Sequence, residues 1–229
     1  MLVLDITLPL PIIRRDIASV EEALLRRRSI RDFVNQPISI HELSQILWSC
    51  YGLSSKSRGF KTTPSAGATY PLDIYVVIRE NCIKMNDEEF IEAGVYKYDP
   101  SRHDLKLVRK GDYSRELMNA CLGQKWVGDA CFNIVLVAVF ERTTRYYGSR
   151  GERYVWIEVG HAAQNVYLES VALGLGCVAI GAYYDDKVAE IIDLLEGVPA
   201  YILSIGVPRR RIETRLEDIH DIIKKNRGL

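Results

Sequence analysis

Charge of one sign, metal-ligand spacing and nucleotide fingerprints are all missing from this chain. Lys and Arg total 30 and Asp and Glu total 30, a formal net charge of zero, so no bulk field recommends nucleic acid or an acidic membrane surface as partner. The four histidines are scattered, and the five cysteines, Cys50, Cys82, Cys121, Cys131 and Cys177, share no metal or redox spacing. This argues against a zinc or paired-histidine centre and for buried, reduced thiols in a cytoplasmic protein. There is no GxGxxG after a strand, no P-loop lysine and no serine elbow, which disfavours nicotinamide held in a Rossmann crevice. No low-complexity linker divides the 229 residues, so one domain is expected over 1–229, with 1–18 as an extended arm and 212–229 as a C-terminal helix. The apolar start, MLVLDITLPLPII, carries Asp5, Pro9 and Pro11, lacks a basic flank and is too short to span a bilayer.

What is present is an ordinary globular composition, 48% hydrophobic and 26% charged, organised around one long stretch, Arg153 to Gly176. Val155, Val159, Ala162, Val166 and Leu173 form one apolar stripe at helical spacing, and Trp156, Ala163, Tyr167 and Val171 a second. Such a helix is central, covered on several sides, and can also meet a second copy of the chain. Its sparse polar residues, Glu158, His161, Gln164, Asn165 and Glu169, then need hydrogen-bond partners. Beyond Gly174 and Gly176, Cys177 to Gly181 is short and apolar enough for a buried strand.

Capping boxes at Ser19–Glu22 and Ser39–Glu42 predict helices from about Val20 to Arg28 and from Ile40 to Gly52. Asp73 to Arg79 and Asn133 to Phe140 are β-branched, apolar strand candidates, and Gly94 to Tyr98 with Leu105 to Val108 suggest a hairpin. Asp112 can cap a short helix through Cys121. Glu141 to Arg153 is expected to be a charged loop. A helix near Asp186 to Leu195 precedes a strand, Tyr201 to Val207, that stops at Pro208, and a third box, Thr214 to Glu217, opens the last helix.

Three stretches carry chemistry. Arg26, Arg27, Arg28 and Arg31 surround Ser29 at a helix end, and Arg209, Arg210 and Arg211 follow the last strand. The first set suits a solvated face at a helix C-terminus and the second a solvated run after a strand; together they also suit a shared grip on an anion such as phosphate. In PSAGATYP, Pro64 to Pro71, the residues Ser65, Ala66, Gly67 and Ala68 have little side-chain bulk, so backbone donors can approach a flat ligand, although a tight turn entering a strand accounts for the stretch as well. Cys177 to Ala182 has the same character.

Taken in order, RRRSIRDF at 26–33, PSAGATYPLDIYVV at 64–77, YKYDPSRHDL at 96–105, GQKWVGDA at 123–130 and EVGHAAQNVYLESVALGLGCVAIGA at 158–182 resemble the nitroreductase family of flavin enzymes. Within it the chain is most similar to the branch that includes the azoline-oxidising dehydrogenases of thiazole and oxazole peptide biosynthesis. The resemblance implies an α+β fold, with a mixed, mainly antiparallel sheet surrounded by helices, in an intertwined homodimer binding FMN at the interface. It implies that Arg27, Arg28, Ser29 and Arg31 hold the ribityl phosphate and the flavin edge, completed by Arg209 and Arg211. Pro64, Ser65, Ala66 and Gly67 of the partner copy would line the ring, and Ile180 and Gly181 would cover its other face. The implied reaction is hydride transfer from NAD(P)H through the flavin to a small acceptor such as a nitroaromatic or quinone.

Two departures qualify what carries over. The relatives that oxidise azolines carry a Lys-Tyr pair for proton removal; here Tyr147 matches the tyrosine, but Tyr146 stands at the lysine position, and tyrosine is a poor base at neutral pH. Tyr147 is thus a candidate catalytic residue or a loop aromatic capping the core. Ala68 replaces an asparagine that contacts the flavin pyrimidine in many nitroreductases, leaving Gln124 as a candidate for that contact. The alternatives to a nicotinamide-dependent reductase are an FMN-dependent dehydrogenase of azoline-containing or other peptide-like substrates and a non-catalytic flavin-binding module.

Overall fold

A computed structural model of the protein describes residues 5–15, 17–56 and 58–228; the first four residues of the expected arm, Asp16 within it, Ser57 in the polar loop and the terminal Leu229 lie outside the described residues. In chain order the elements are β1 (Ile6–Thr7), α1 (Val20–Arg26), β2 (Phe33–Val34), β3 (Ile38–Ser39), α2 (Ile40–Tyr51), β4 (Leu72–Ile78), β5 (Ile83–Lys84), β6 (Gly94–Asp99), β7 (Asp104–Lys110) and α3 (Ser114–Ala120). They continue with α4 (Lys125–Asp129), β8 (Phe132–Ala138), α5 (Glu141–Tyr147), α6 (Arg150–Ala172), β9 (Gly176–Ile180), α7 (Asp185–Ile191), β10 (Val198–Pro208) and α8 (Leu216–Asn226). The fold is α+β. An eight-stranded sheet runs in the order β1-β7-β6-β4-β8-β10-β2, with β9 also paired to β10, and these pairings are antiparallel. A parallel pairing of β3 with β5 makes the β content mixed.

The near-continuous apolar character of β4 and β8 follows from their place in the middle of the sheet, because both faces are covered. Ile74, Val76, Ile134 and Leu136 pack on the side of α2 and α6, while Tyr75, Val77, Val135 and Val137 pack on the side of α3, α4 and α7. Every residue of β8 is buried. A half-exposed antiparallel strand would alternate apolar with polar side chains.

The two N-terminal capping boxes form as predicted: the Ser19 and Ser39 hydroxyls accept from the Glu22 and Glu42 amides at 3.2 Å, and the glutamates accept from the serine amides at 2.9 and 2.7 Å. The third does not. The cap of α8 falls one residue later, where Arg215 donates from its backbone and guanidinium to Asp218 at 3.4 and 3.0 Å, and the Thr214 hydroxyl is instead an acceptor for Arg28 at 3.4 Å. Nor is Glu141–Arg153 a loop. It holds α5 and the first turn of α6, parted by Gly148 at φ 57°. ERTTRYY contains no helix breaker, so its charge marked exposure rather than irregular backbone. The segment 5–15 is bound to the fold by β1, by a bidentate exchange between Gln45 and the backbone of Ile12 at 2.8 and 3.1 Å, and by Ser44, which donates to the Pro9 carbonyl at 2.5 Å.

In α6 the first predicted stripe is inside: Val155, Val159, Ala162 and Val166 are buried. Of the second, Ala163 is buried but Trp156 is 50% exposed. Trp156, Ile157, Gly160, His161 and Gln164 form an outward face, and a Cβ added at Gly160 would meet nothing within 4 Å. Three of the polar residues find the partners they need: Glu158 accepts from Tyr51 at 2.5 Å, Asn165 donates to Thr63 at 3.1 Å, and Glu169 accepts from Gln45 at 3.4 Å.

Candidate functional site

After α1 the chain extends and lies beside β9: Ser29 bridges Cys177 in parallel, and the Ile30 amide donates to the Cys177 carbonyl at 2.9 Å. This brings the first arginine cluster to the end of α6. The second cluster leaves β10 at the same place, and the two meet around a cavity of about 400 Å³ lined by Arg26, Arg28, Arg210, Arg211 and Arg215, with Tyr167, Cys177 and Glu213 in its walls. Arg26 is ion-paired with Glu22 and Arg215 with Asp218. Arg28, Arg210 and Arg211 have no carboxylate within ion-pair distance among the described residues. Arg28 is aimed by three acceptors, the carbonyls of Leu25 and Arg27 at 3.0 and 2.7 Å and Thr214. The carbonyl end of α1 carries partial negative charge, which favours guanidinium groups there. Gly174, at φ 74°, turns the chain out of α6, and a side chain there would start 3.2 Å from the Arg211 guanidinium.

The other residues expected to grip an anion are divided between this cavity and its surroundings. Arg27 lies over the Tyr167 ring at 5.4 Å, and the Tyr167 hydroxyl bonds Ser29 at 3.1 Å while accepting from the Ala179 amide at 2.8 Å; both thus flank the cavity through its Tyr167 wall. Arg31 is over Trp126 at 5.4 Å, and Arg209 forks onto Asp32 at 3.0 and 3.1 Å; neither lines it. Ile180 is buried, and Gly181 is exposed at the end of β9. The Gln124 amide nitrogen donates to the carbonyls of Cys121 and Ala182 at 2.9 and 3.0 Å, tying the α3–α4 turn to the end of β9.

The low-bulk loop forms a separate feature. Thr63 is anchored on the Cys50 carbonyl at 2.6 Å, Ser65 accepts from the Tyr70 amide at 2.9 Å, and a 3-10 turn spans Ala66–Ala68, with Gly67 at φ 60° and Ala68 at φ 53°. Pro64, Gly67 and Ala68 are exposed, Ser65 and Ala66 half-buried. Tyr147, the last residue of α5, stacks edge-on against Tyr154 at 5.1 Å, and its hydroxyl would lie 2.6 Å from a Cβ on Gly67. Two residues singled out from distant parts of the sequence therefore touch. Tyr146 is 72% exposed. None of Pro64 to Gly67, nor Tyr147, lines the arginine cavity of its own chain.

Gly67→Ala is expected to lower stability by about 1 kcal/mol from the left-handed backbone alone, with a further loss because Tyr147 must move. The added Tyr147→Phe change should recover the second part only, which a double-mutant cycle of unfolding free energies measures. Additive losses would show that Gly67 and Tyr147 do not bear on each other.

Behind this loop lies a polar cluster the sequence did not single out as a unit. Glu158, 2% exposed, accepts from the Tyr51 hydroxyl at 2.5 Å. The Lys61 ammonium sits 3.9 Å from the centre of the Tyr51 ring and 4.9 Å from that of Tyr70. Burial pushes the Glu158 carboxyl up and pulls Lys61 down to about 8, against the opposing pull of Glu158 and Asp73. Asp73 is held below its ordinary value: burial acts upward, but Arg142, at 2.7 and 3.2 Å, and Lys97, at 2.8 Å, outweigh it. The only sign of this cluster in the sequence is Glu158 itself, a carboxylate set among the apolar positions of α6.

The sequence model described as the Nitroreductase family matches residues 24–207. A protein of Methanocaldococcus jannaschii named "Putative nitroreductase" is 45% identical over 194 residues, 85% of this chain and 92% of that protein. A crystal structure from Ralstonia eutropha with the same description superposes with a TM-score of 0.76 at 30% identity, covering 90% of each chain. The microcin B17-processing protein of Escherichia coli is 26% identical over 161 residues, 69% of this chain and 57% of that protein.

Proposed function

The chain belongs to the nitroreductase family and is an oxidoreductase; from that premise we propose that it binds FMN and passes hydride from NAD(P)H through the flavin to a small acceptor such as a nitroaromatic or quinone. The observation that carries this reading is the meeting of two arginine clusters from opposite ends of the chain, at 26–31 and 209–211, on one cavity of about 400 Å³. Its donor set fits a phosphate: forked, permanently charged groups, three of them without a carboxylate partner, in a space large enough for the phosphate and ribityl chain. Arg28 and Arg211 would take the phosphate, with Arg27 and Ser29 at its margin through Tyr167. Arg31 and Arg209, held by Trp126 and Asp32, lie outside the cavity lining and in this reading serve the flavin rim rather than the phosphate. When bound, FMN supplies the two-electron hydride chemistry. The protein binds its charged tail, covers the ring with the thin Ile180–Gly181 segment, and leaves one side open.

A homodimer completes the site in this reading. The loop Pro64 to Gly67 stays away from the arginine cavity of its own chain, so it serves the flavin of a second copy. The outward face of α6 offers Trp156, Ile157 and the open position at Gly160; small residues allow close approach between helices. On α8, Leu216, Ile222 and Ile223 are exposed as well. Among the described residues no helix is long and apolar enough to cross a membrane, and no group of three or more His, Cys, Asp or Glu side chains is arranged to hold a metal. The five cysteines are free and buried, in keeping with a reducing, cytoplasmic setting.

The likeness to the microcin B17-processing protein favours a second reading, oxidation of a peptide-like substrate by the same flavin. Tyr147 beside Gly67 suits that reading; the solvent-facing Tyr146 in place of the lysine counts against it. The test begins with the visible spectrum: purified protein is expected to be yellow, and its flavin band to bleach with NADH or NADPH and return with a quinone or nitroaromatic. A colourless protein that takes up no added FMN would sink the proposal. Bleaching that only a peptide substrate produces would favour the second reading, and flavin binding without turnover a non-catalytic module.

A further inference from the structure

Three residues of the low-bulk loop lie in the left-handed region of the backbone: Gly67 at φ 60°, Ala68 at φ 53° and Tyr70 at φ 48°. Glycine adopts that conformation freely, but alanine and tyrosine are strained in it. Such strain persists only where the surrounding structure imposes it, and it collects at functional sites. The outer side of the loop imposes nothing, since Pro64, Gly67 and Ala68 are exposed. The constraint comes from within the fold, and its source is α5.

The helix is joined to the loop along its whole length. At its entry the Val139 amide donates to the Pro71 carbonyl at 2.9 Å. Arg142 then forks onto Asp73 of β4 at 2.7 and 3.2 Å. Thr143, 1% exposed, meets the Thr69 hydroxyl at 2.7 Å. At the far end the Tyr147 hydroxyl lies 2.6 Å from where a Cβ on Gly67 would stand. The bond between the two threonines has a direction. Thr69 donates its own proton to the Ala66 carbonyl at 3.0 Å, so its oxygen accepts from Thr143. The same carbonyl accepts from the Thr69 amide at 3.2 Å, which closes the turn around Gly67 and Ala68. Thr143 therefore acts on the strained residues through a single intervening side chain.

Both sides of this contact are fixed. A Cβ added at Gly151 would meet the Thr144 Cα at 2.8 Å, so α6 runs with its backbone close against α5 and keeps it from shifting. On the loop side, Ser65 accepts from the Tyr70 amide at 2.9 Å, and the Tyr70 hydroxyl accepts from the Lys61 amide at 3.0 Å.

Resting on the flavin reading above, we propose that Thr143 is a positioning residue: with Arg142 it imposes the shape of Ala66 to Tyr70 and sets Tyr147 against Gly67, so that loop and helix form one preformed surface for the flavin of a second copy. A surface held in its bound shape before the ligand arrives loses less conformational freedom on binding. That is the physical use of the strain in Ala68 and Tyr70, since the ordering is completed in folding and not at each encounter with the cofactor.

The test compares wild type with Thr143→Val, which keeps the branched shape and removes the hydroxyl, and with Thr143→Ser, which restores the hydroxyl. In the flavin-free proteins, amide hydrogen exchange at Ala68, Thr69 and Tyr70 is expected to quicken about 10-fold in Thr143→Val and to return towards the wild-type rate in Thr143→Ser. On titration with FMN, Thr143→Val is expected to bind about 5- to 10-fold more weakly, and Thr143→Ser to recover most of the loss. Thr69→Val breaks the same bond from the loop, so the double variant should be no worse than Thr69→Val alone. It also decides the matter if Thr143→Val does not fold. Unchanged exchange in the valine variants overturns the clamp. Faster exchange with wild-type FMN affinity means that the hydroxyl supports the fold only, which overturns the positioning role and leaves the flavin reading intact. A wild-type protein that binds no FMN removes the flavin reading, and the positioning role with it.

Discussion

Exchanging Arg28 and Arg211 together for alanine is expected to weaken FMN binding by roughly 100-fold or more. A hydrogen bond to a charged group contributes about 1.5 to 3 kcal/mol, so either single change should cost about 10- to 150-fold. The two act on one phosphate, so their effects will not simply add. The affinity that remains should also depend less on salt, because fewer charges are available to screen. Arg209→Ala is the informative contrast. Its ion pair with Asp32 joins side chains that are 56% and 67% exposed, and exposed pairs contribute about 0 to 1 kcal/mol to stability. Quenching of flavin fluorescence on titration measures the two single variants, the double variant and Arg209→Ala. Arg28 also holds the end of α1 through the carbonyls of Leu25 and Arg27, so the melting temperature of each apoprotein is needed to separate lost binding from lost structure. Wild-type affinity in the double variant would return both clusters to the role of solvated surface charges.

The largest loss of stability is expected from Phe132→Ala, about 3 to 5 kcal/mol. Phe132 opens the central strand β8, stands opposite Ile78 on one neighbour and Ile205 on the other, and is fully buried. Neither adjoining strand can close the space without breaking its own ladder, so the loss of transfer free energy is joined by the cost of a cavity. For a chain of this size the fall in melting temperature should be on the order of 10 °C. A fall of only 1 or 2 °C would mean that the sheet is not packed on both faces at this point. Trp156→Ala, by comparison, removes a side chain already 50% exposed. Its effect should be small in a monomer and grow with protein concentration if that face of α6 meets a second copy.

Much of the architecture was legible because local chemistry and tertiary placement agree. The serine and glutamate pairs at 19–22 and 39–42 cap helices wherever those helices go, and the unbroken apolar run of β8 requires cover on both faces. Where they disagree, the sequence misled in specific ways. Thr214 has the spacing of a cap but is drawn to Arg28, so α8 begins one residue later. Glu141–Arg153 is polar because it is exposed, not because it lacks structure. Of the second apolar stripe of α6, Trp156 stays half outside, since periodicity identifies an apolar face without naming what covers it.

The site divides along the same line. Composition alone indicated that any function had to come from local clusters, and the arginine runs and the small-residue loop could be read directly, since permanent charge and missing side-chain bulk belong to residues taken singly. Which of them act together could not. Arg28 and Arg211 share a cavity while Arg31 and Arg209 turn to Trp126 and Asp32; Tyr147 rests on Gly67; and Tyr51 joins Glu158 to the ring on which Lys61 sits. Those juxtapositions depend on the register of β9 beside the extended arginine segment and on the packing of α2 against α6. Both are set by burial of apolar surface over the whole chain, a property that no short stretch of sequence carries.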